Sequence, residues 1–403
     1  MTDLVLKGAE TDDEVHLASD LMAKAHCRDY FAGLDWLRMI SAGYPGFRRE
    51  HVRIALSHGD LAGALRVNME TIRIGEARLR MGGCGWVTTA PRHRGGSVAR
   101  ALMVHTLRYL AEQRCHVAML FGTPNFYRRF GFVTTLAEYA VQAPVAEALE
   151  APGHDYRTRP GKPGDIRAIQ RMHNANDADT ACSVVRSAAH ISNQWDRWKG
   201  VRVVTNAQGK VLGYFLCRCE EEEAVVEETG VADLGACAAV LRACAGVARE
   251  ASLARLRFRV PPEHPMTHFL LQYKSLHETR ILRDAGGMMA IVNLEEALES
   301  MIPEWEYRLA EHPARDWREE VTLLVERVPY RVRANRGAID VAAASGTNKV
   351  SLGRADMVHI LTGYRYIEDI LATQHRVLTR RARALLALLF PKRPPFVWPM
   401  DRF

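Results

Sequence analysis

Apolar positions change their spacing several times over the first 150 residues, and each change marks an element. Val15, Leu17, Ala18, Leu21, Met22 and Ala25 recur at helical spacing. Thr11 stands before them, followed by Asp12, Asp13 and Glu14. That is an N-cap with an acidic first turn, because the unpaired amides at a helix start attract oxygen and negative charge. A second helix is expected near Tyr30–Ser41, stopped by the breaker cluster Gly43-Tyr44-Pro45-Gly46. Extended segments follow at His51–Ser57, Leu61–Met69, Thr71–Met81 and Gly82–Thr89, with a turn at Gly59-Asp60. Val98–Gln113 returns to helical spacing and is amphipathic. Val117–Gly122 reads as a short apolar strand, Asn125–Arg129 as a helical turn and Phe132–Val141 as extended.

The polar stretch Arg157–Gly164, with Pro160 and Pro163, predicts a new domain. After a helix over Asp165–Asn176 and an aromatic connection at Trp195–Trp198, three segments form a meander: Val201–Asn206, Val211–Cys219 and Ala224–Thr229. A helix over Leu234–Ala251, a strand over Leu256–Val260, a helix over His264–Gln272 and a strand ending near Val292 complete the series. This is the element order of residues 50–141 again, without its residue identities. From Leu294 the texture changes. Val321–Glu326, Tyr330–Arg333 and Gly337–Val341 alternate like strands, Arg354–Thr362 is helical, and Ile367–Leu388 contains a long basic helix. The expected fold class is α+β with mixed sheets, in three domains over residues 1–150, 151–295 and 296–403. The tail from Pro391 to Phe403 is too rich in proline to be a helix, yet carries Phe396, Val397, Trp398 and Phe403. A disordered tail seldom has so much apolar bulk, so it is expected to dock.

Composition narrows the class. The 403 residues are 48% hydrophobic and 25% charged, as in a soluble globular protein. The acidic opening MTDLVLKGAETDDE lacks a secretory signal's basic start, and no apolar run nears the ~20 residues of a membrane helix. A soluble cytoplasmic protein without membrane insertion is the expectation. The net charge of +7 is spread out, with no long Lys/Arg block, which argues against nucleic acid. The eight cysteines form no CxxC pair, so free thiols and no metal are expected.

One segment carries candidate chemistry. Arg92-His93-Arg94-Gly95-Gly96-Ser97-Val98-Ala99-Arg100 lies between an extended segment and an amphipathic helix. Its glycines permit close approach, its arginines supply charge, and the helix start supplies unpaired amides, which together suit a pyrophosphate. The corresponding segment of the second half, Val231-Ala232-Asp233-Leu234-Gly235, has no basic residue, and its Asp233 would repel one. The second copy is therefore expected to be a scaffold without cofactor. His93 suits phosphate or solvent better than base chemistry, and Cys84 has no activating partner nearby in sequence.

The run from Gly85 to Met103 resembles the cofactor motif of GCN5-related (GNAT) N-acyltransferases, Val-x-Pro-x-x-Arg-Gly-x-Gly-x-Gly followed by a helix. Ser97 and Ala99 stand where glycines are usual. Tyr127-Arg128-Arg129-Phe130-Gly131-Phe132 is similar to the family's second signature, Tyr-x-x-x-Gly-Phe. The resemblance implies acetyl-CoA as cosubstrate. Trp86, Val87, Thr88 and Thr89 would then bond the pantetheine arm, a backbone N–H near Val87 or Thr88 would polarise the thioester carbonyl, and Tyr127 would protonate the leaving thiolate. Length, tail and the segment Gly46–Arg53 further resemble the enhanced-intracellular-survival branch of this family. That resemblance implies tandem GNAT folds, a sterol-carrier-like C-terminal domain, a hexamer, and a primary-amine acceptor of aminoglycoside or lysine type. It also implies that the terminal carboxylate, here of Phe403, serves as the base. The other reading carried forward is a lipid- or ligand-binding protein with a relic GNAT fold.

Overall fold

The computed structural model describes residues 4–43, 46–153, 155–374 and 378–403, and in helix Tyr30–Gly43 the side chains of Met39, Ala42 and Gly43 are left aside. Tyr44 and Pro45 of the expected breaker cluster lie outside the described residues. Among the described residues the fold is mixed α/β with three sheets.

In chain order the strands are β1 (Leu4–Gly8), β2 (Val52–Ser57), β3 (Asp60–Ile74), β4 (Ala77–Thr89), β5 (Val117–Gly122) and β6 (Val133–Leu136). Then follow β7 (Glu138–Pro144), β8 (Arg157–Pro160), β9 (Val201–Thr205), β10 (Val211–Cys219), β11 (Ala224–Val231), β12 (Arg255–Phe258) and β13 (Leu276–Arg280). The last are β14 (Gly286–Ile291), β15 (Arg318–Val325), β16 (Val328–Asn335), β17 (Ala338–Ala342) and β18 (Lys349–Leu352). The first sheet has the order β1-β2-β3-β4-β5-β14-β6 and the second β13-β7-β12-β11-β10-β9-β8. The two orders are the same design: four antiparallel strands, a parallel fifth, then two more. The third sheet is β17-β16-β15-β18.

Each seven-stranded sheet takes one strand from a distant part of the chain. β14 pairs with β5, Gly286 opposite Gly122 through Ile291 opposite Val117. β7 pairs with β12 and β13. The extended segment expected over Phe132–Val141 is thus two strands, one in each sheet, parted at Ala137. Two compact units result, and neither is a continuous run of chain. One comprises Met1–Thr135, Leu282–Arg393 and Phe403, the other Leu136–Ile281 and Pro394–Arg402.

Local chemistry explains the main elements. Helix α1 (Asp12–His26) is capped by Thr11, whose hydroxyl accepts from the Glu14 amide at 3.2 Å, as the sequence predicts. Helices α2 (Tyr30–Gly43) and α3 (Val98–Glu112) follow their expected ranges closely. Leu4–Gly8, by contrast, is a strand paired with β2 that periodicity over five residues does not reveal. The three segments read between Leu61 and Thr89 are two long strands, β3 and β4, turning at Gly75, where φ is +58°. Gly82 and Gly83 look like a boundary in sequence but lie inside β4, where neighbours leave no room for a side chain: a Cβ on Gly82 would sit 2.4 Å from Leu110. The basic stretch over Ile367–Leu388 is two helices, Ile367–Leu371 and Arg380–Leu389, with 375–377 outside the described residues.

Candidate active site

The first sheet is open between β4 and β5. They pair in parallel only from Met81 to Gly83, against Val117 to Met119, although β4 runs on to Thr89 and β5 to Gly122. The cause lies on the other side of β4. Arg66 faces Gly85 and Ala64 faces Thr88, so Trp86 and Val87 stand opposite Leu65 alone. This is a β-bulge, and Trp86 takes a φ of 58°, which a large side chain adopts only when its surroundings hold it there. Trp36 packs on Trp86 at 5.0 Å between centroids and His26 at 5.6 Å. His26 Nε2 also lies 3.0 Å from the Thr88 hydroxyl, which donates to the Trp86 carbonyl at 2.9 Å. The bulge bends β4 away from β5 and leaves Trp86–Thr89 without a ladder partner on that side.

Phe403 lies on the face of β4 beside this opening. A Cβ on Gly83 would lie 2.4 Å from its ring, and one on Gly85 would lie 2.6 Å from its carboxyl carbon. Its ring is 5.9 Å from that of Phe121 on β5. Gly83 and Gly85 share one face of β4, so the two absent side chains together make the space for the chain terminus. Sequence reasoning missed this, although Gly82-Gly83-x-Gly85 inside an extended run is the mark of a close approach.

At the end of β4 the chain turns through a short 3₁₀ segment, Pro91–His93, into α3. Gly95 adopts φ +78°, and a Cβ there or on Gly96 would meet nothing closer than 3.4 Å. Ser97, in a glycine position of the motif, has φ −89° and needs no left-handed backbone. Its side chain makes no capping bond, so the amides of the first turn of α3, from Val98 through Ala99 and Arg100, face outward without that competitor. Arg94 and Arg100 are exposed, while Arg92 pairs with Asp60 at 3.0 Å. The ring of His93 is half-buried with Nε2 unbonded. Two open glycines, an uncapped helix start and local arginines fit a pyrophosphate. In the second unit the matching helix, Leu234–Glu250, is capped by Asp233, whose carboxylate accepts from the Ala236 amide at 2.8 Å. There one first-turn amide already donates to a carboxylate of the chain itself.

Tyr127 begins a 3₁₀ turn just past β5 and is nearly buried, packed on Phe126 at 4.9 Å and Phe132 at 6.2 Å. Burial, with the nearby Cys84 thiol, pushes its hydroxyl up to about 12, so it holds its proton at neutral pH. The Cys84 thiol is itself pushed up to about 12 by burial and stays protonated, which makes it a poor nucleophile. His51 is pushed down to about 4 by burial and by Arg48, and is bound up with Arg48 and Tyr109 rather than with the opening. His26 gave no signal in sequence; burial lowers it, which leaves a neutral ring beside the bulge.

Among the described residues, no group of three or more His, Cys, Asp or Glu is placed to hold a metal ion. No described helix is long and apolar enough to cross a membrane.

The opened, bulged strand thus leads into an uncapped, glycine-lined helix start, which brings unpaired strand amides and outward helix amides together. Residues 10–135 match the family model for the acetyltransferase (GNAT) domain. Over 99% of this chain and 100% of the other, the fold is similar to a GCN5-related N-acetyltransferase from Anabaena variabilis, with a TM-score of 0.75 at 15% identity. A GCN5-related N-acetyltransferase from Kribbella flavida gives 0.74 at 17% identity over 100% of both chains. Eis1 from Mycobacterium abscessus gives 0.68 at 13% identity, over 99% of this chain and 100% of that one. Identities this low speak for a shared fold. No curated protein matches the sequence. The match to the GNAT acetyltransferase domain is thus confined to residues 10–135, and over the whole chain the likeness to these proteins is one of fold.

Proposed function

We propose that the protein is an acetyl-CoA-dependent N-acetyltransferase acting on a primary amine by direct attack. The observation that carries this reading is the opening between β4 and β5, which has the bulge at Trp86 on one strand, Tyr127 beyond the other, and the Phe403 carboxyl against Gly85. Acetyl-CoA supplies the activated acetyl group. Arg94, Gly95, Gly96, Ser97 and the amides of Val98, Ala99 and Arg100 take the pyrophosphate, with Arg92 at the rim. Trp86–Thr89 bond the pantetheine arm, and an amide at Val87 or Thr88 stabilises charge on the thioester oxygen. As the new C–N bond forms and the C–S bond breaks, the Tyr127 hydroxyl gives its proton to sulfur. The ammonium proton passes to the Phe403 carboxylate, directly or through one water, and Tyr127 regains its proton from solvent.

A carboxylate of pKa ~3.5 is a weak base towards an ammonium of pKa ~10. The transfer therefore needs the two brought together away from bulk water, and in this reading the bound substrate completes the cover of a Phe403 already half-buried on β4. The acceptor class in this reading is an aminoglycoside-like polyamine or a lysine side chain. The organisation that goes with it is two tandem GNAT folds and a sterol-carrier-like domain in residues 296–403, assembled as a cytoplasmic hexamer. The lipid-binding reading has no observation in its favour comparable to the opening.

The test is thiol release from acetyl-CoA across a panel of primary amines, alongside melting with and without CoA. Amine-dependent release with a CoA-induced rise in melting temperature is expected. A protein that CoA does not stabilise and that releases thiol with no amine is not an acetyltransferase.

A further inference from the structure

A large residue with a left-handed backbone inside a strand is held there against its own preference. Trp86, with a φ of 58°, is such a residue. The peptide plane that follows it carries the N–H of Val87, one of the two amides that the transfer reading gives to the thioester oxygen. Because a peptide unit is planar and trans, the Trp86 C=O and the Val87 N–H point in opposite directions. Whatever holds the carbonyl therefore aims the amide. Aim matters here, since a donor stabilises developing charge cheaply only when it need not reorganise during the reaction.

The first unit holds that carbonyl through a short relay. The Thr88 hydroxyl donates to it at 2.9 Å. A hydroxyl has a single proton, so at its other contact, His26 Nε2 at 3.0 Å, it accepts, and the imidazole carries its proton on Nε2. Partial burial keeps the ring neutral, while a backbone hydrogen bond at Val87 works against that shift, as an accepting carbonyl does. The ring thus reaches the Val87 carbonyl directly and the Trp86 carbonyl through Thr88. Holding these two carbonyls sets the planes that carry the Val87 and Thr88 amides. His26 is the last residue of α1, and its ring stands edge-on to the Trp86 indole at 5.6 Å between centroids. Trp36 of α2 packs on the same indole at 5.0 Å. Those ring contacts fix the Trp86 side chain and leave the peptide plane beyond it free to turn. Thr88 is buried, and a valine would suit a buried strand position as well, so packing alone does not call for its hydroxyl.

We propose that His26 and Thr88 are positioning residues for acyl transfer: together they lock the peptide planes on either side of Val87, so that the Val87 and Thr88 amides stay aimed at the thioester oxygen. This rests on the reading of those amides as the groups that stabilise that oxygen. The experiment uses the full-length protein and acetyl-CoA labelled with carbon-13 at the thioester carbonyl, in the absence of amine. Isotope-edited infrared difference spectra read the bound carbonyl, whose stretch falls in frequency when a hydrogen-bond donor polarises it. Steady-state acetylation and melting are measured on the same proteins: wild type, Thr88→Val, Thr88→Ser, His26→Ala and His26→Gln.

In wild type the stretch is expected to fall on binding. Thr88→Val and His26→Ala should lose most of that shift and about tenfold or more in kcat, with the KM for acetyl-CoA within about twofold of wild type. Thr88→Ser keeps the hydroxyl and His26→Gln keeps a donor in reach of it, so both should retain most of the shift and of the rate. If the wild-type shift persists in full in Thr88→Val and His26→Ala, the positioning role is wrong and the amide reading stands, even where melting falls. A wild type whose carbonyl does not shift at all removes both. Should Thr88→Val fail to melt cooperatively, the His26 pair decides alone. A full shift in His26→Ala then overturns the proposal, and a lost shift that returns in His26→Gln supports it.

Discussion

The same sheet order is built twice in this chain, with opposite chemistry beyond its parallel pair. In both, that pairing covers three residues, Met81–Gly83 on β4 and Ala224–Val226 on β11, but β5 runs on past it to Gly122 whereas β12 ends with it at Phe258. Beyond that point the first sheet has glycine, a bulged Trp86 and a helix start without a side-chain cap. The second has Glu228 in a buried ion cluster and a helix start capped by Asp233. The chain's own tail reaches both places, through Phe403 at the first and Asp401 at the second. One sheet order therefore carries two chemistries: glycines and an uncapped helix start leave backbone groups unpaired in the first, and a buried ion cluster with a capped helix start pairs them off in the second.

Removing the Tyr127 hydroxyl should have the largest effect. Tyr127→Phe keeps the ring on Phe126 and Phe132 and deletes the proton donor, so turnover should fall about 10²–10⁴-fold with acetyl-CoA affinity little changed. Single-turnover acetylation checks this where chemistry limits the rate. A loss under about threefold makes Tyr127 a packing residue and removes the chemical distinction between the two sheets.

The second unit should fail differently, by losing stability. Trp398 is fully buried with Phe396 in the core of the second unit and donates from Nε1 to Asp177 at 2.7 Å. Trp398→Ala should cost about 3–5 kcal/mol in denaturant unfolding. A cost under 1 kcal/mol would mean that the tail only lies on the unit.

Asp177 adds a pH dependence. Burial pushes its carboxyl up to about 7, against the hydrogen bonds of Ser183 and Trp398. In the unfolded chain it titrates near 3.9. Between those values the folded state holds a proton the unfolded state has released, so this group's contribution to stability falls as pH rises from about 4 to about 7 and is level above. At about 1.4 kcal/mol per unit the bound is roughly 4 kcal/mol. Asp177→Asn mimics the protonated form, so the variant should match wild type near pH 4 and exceed it near pH 8. Parallel melting curves across that range would show the Asp177 shift to be absent.

Much of this was legible in the sequence, and what was not has a common cause. The N-cap at Thr11, the helix from Val98 and the glycine turn before it each depend on residues adjacent in the chain, and local rules reach them. The repetition of element order betrayed the second copy because strand and helix lengths survive when identities do not. Invisible were features set by contacts far apart in sequence. Gly83 and Gly85 are small because Phe403 arrives from 318 or more residues away, and Arg186 is tolerated in a core because Asp401 meets it from the other end of the unit. The exchange of β7 and β14 between sheets also lay beyond periodicity, which names a strand but not its partner.

The smallest effects distinguish the two helix starts. Gly95 has φ +78° and open space around it, so Gly95→Glu adds backbone strain of about 1 kcal/mol or more and sets a carboxylate where a pyrophosphate would lie. Arg94→Ala removes one exposed cation and leaves the backbone alone. Acetyl-CoA affinity should fall at least tenfold in the first and a few-fold in the second, with the fold kept, as calorimetric titration would read. Asp233→Asn is the matching change in the second unit. Asparagine caps a helix about as well as aspartate, so stability should hold, and with no basic residue in Val231–Gly235 the site should gain no ligand. CoA affinity is expected to stay at the wild-type value. Unchanged affinity in both Gly95→Glu and Arg94→Ala, with a clear loss in Asp233→Asn, would reverse the assignment and make the second sheet the one that binds.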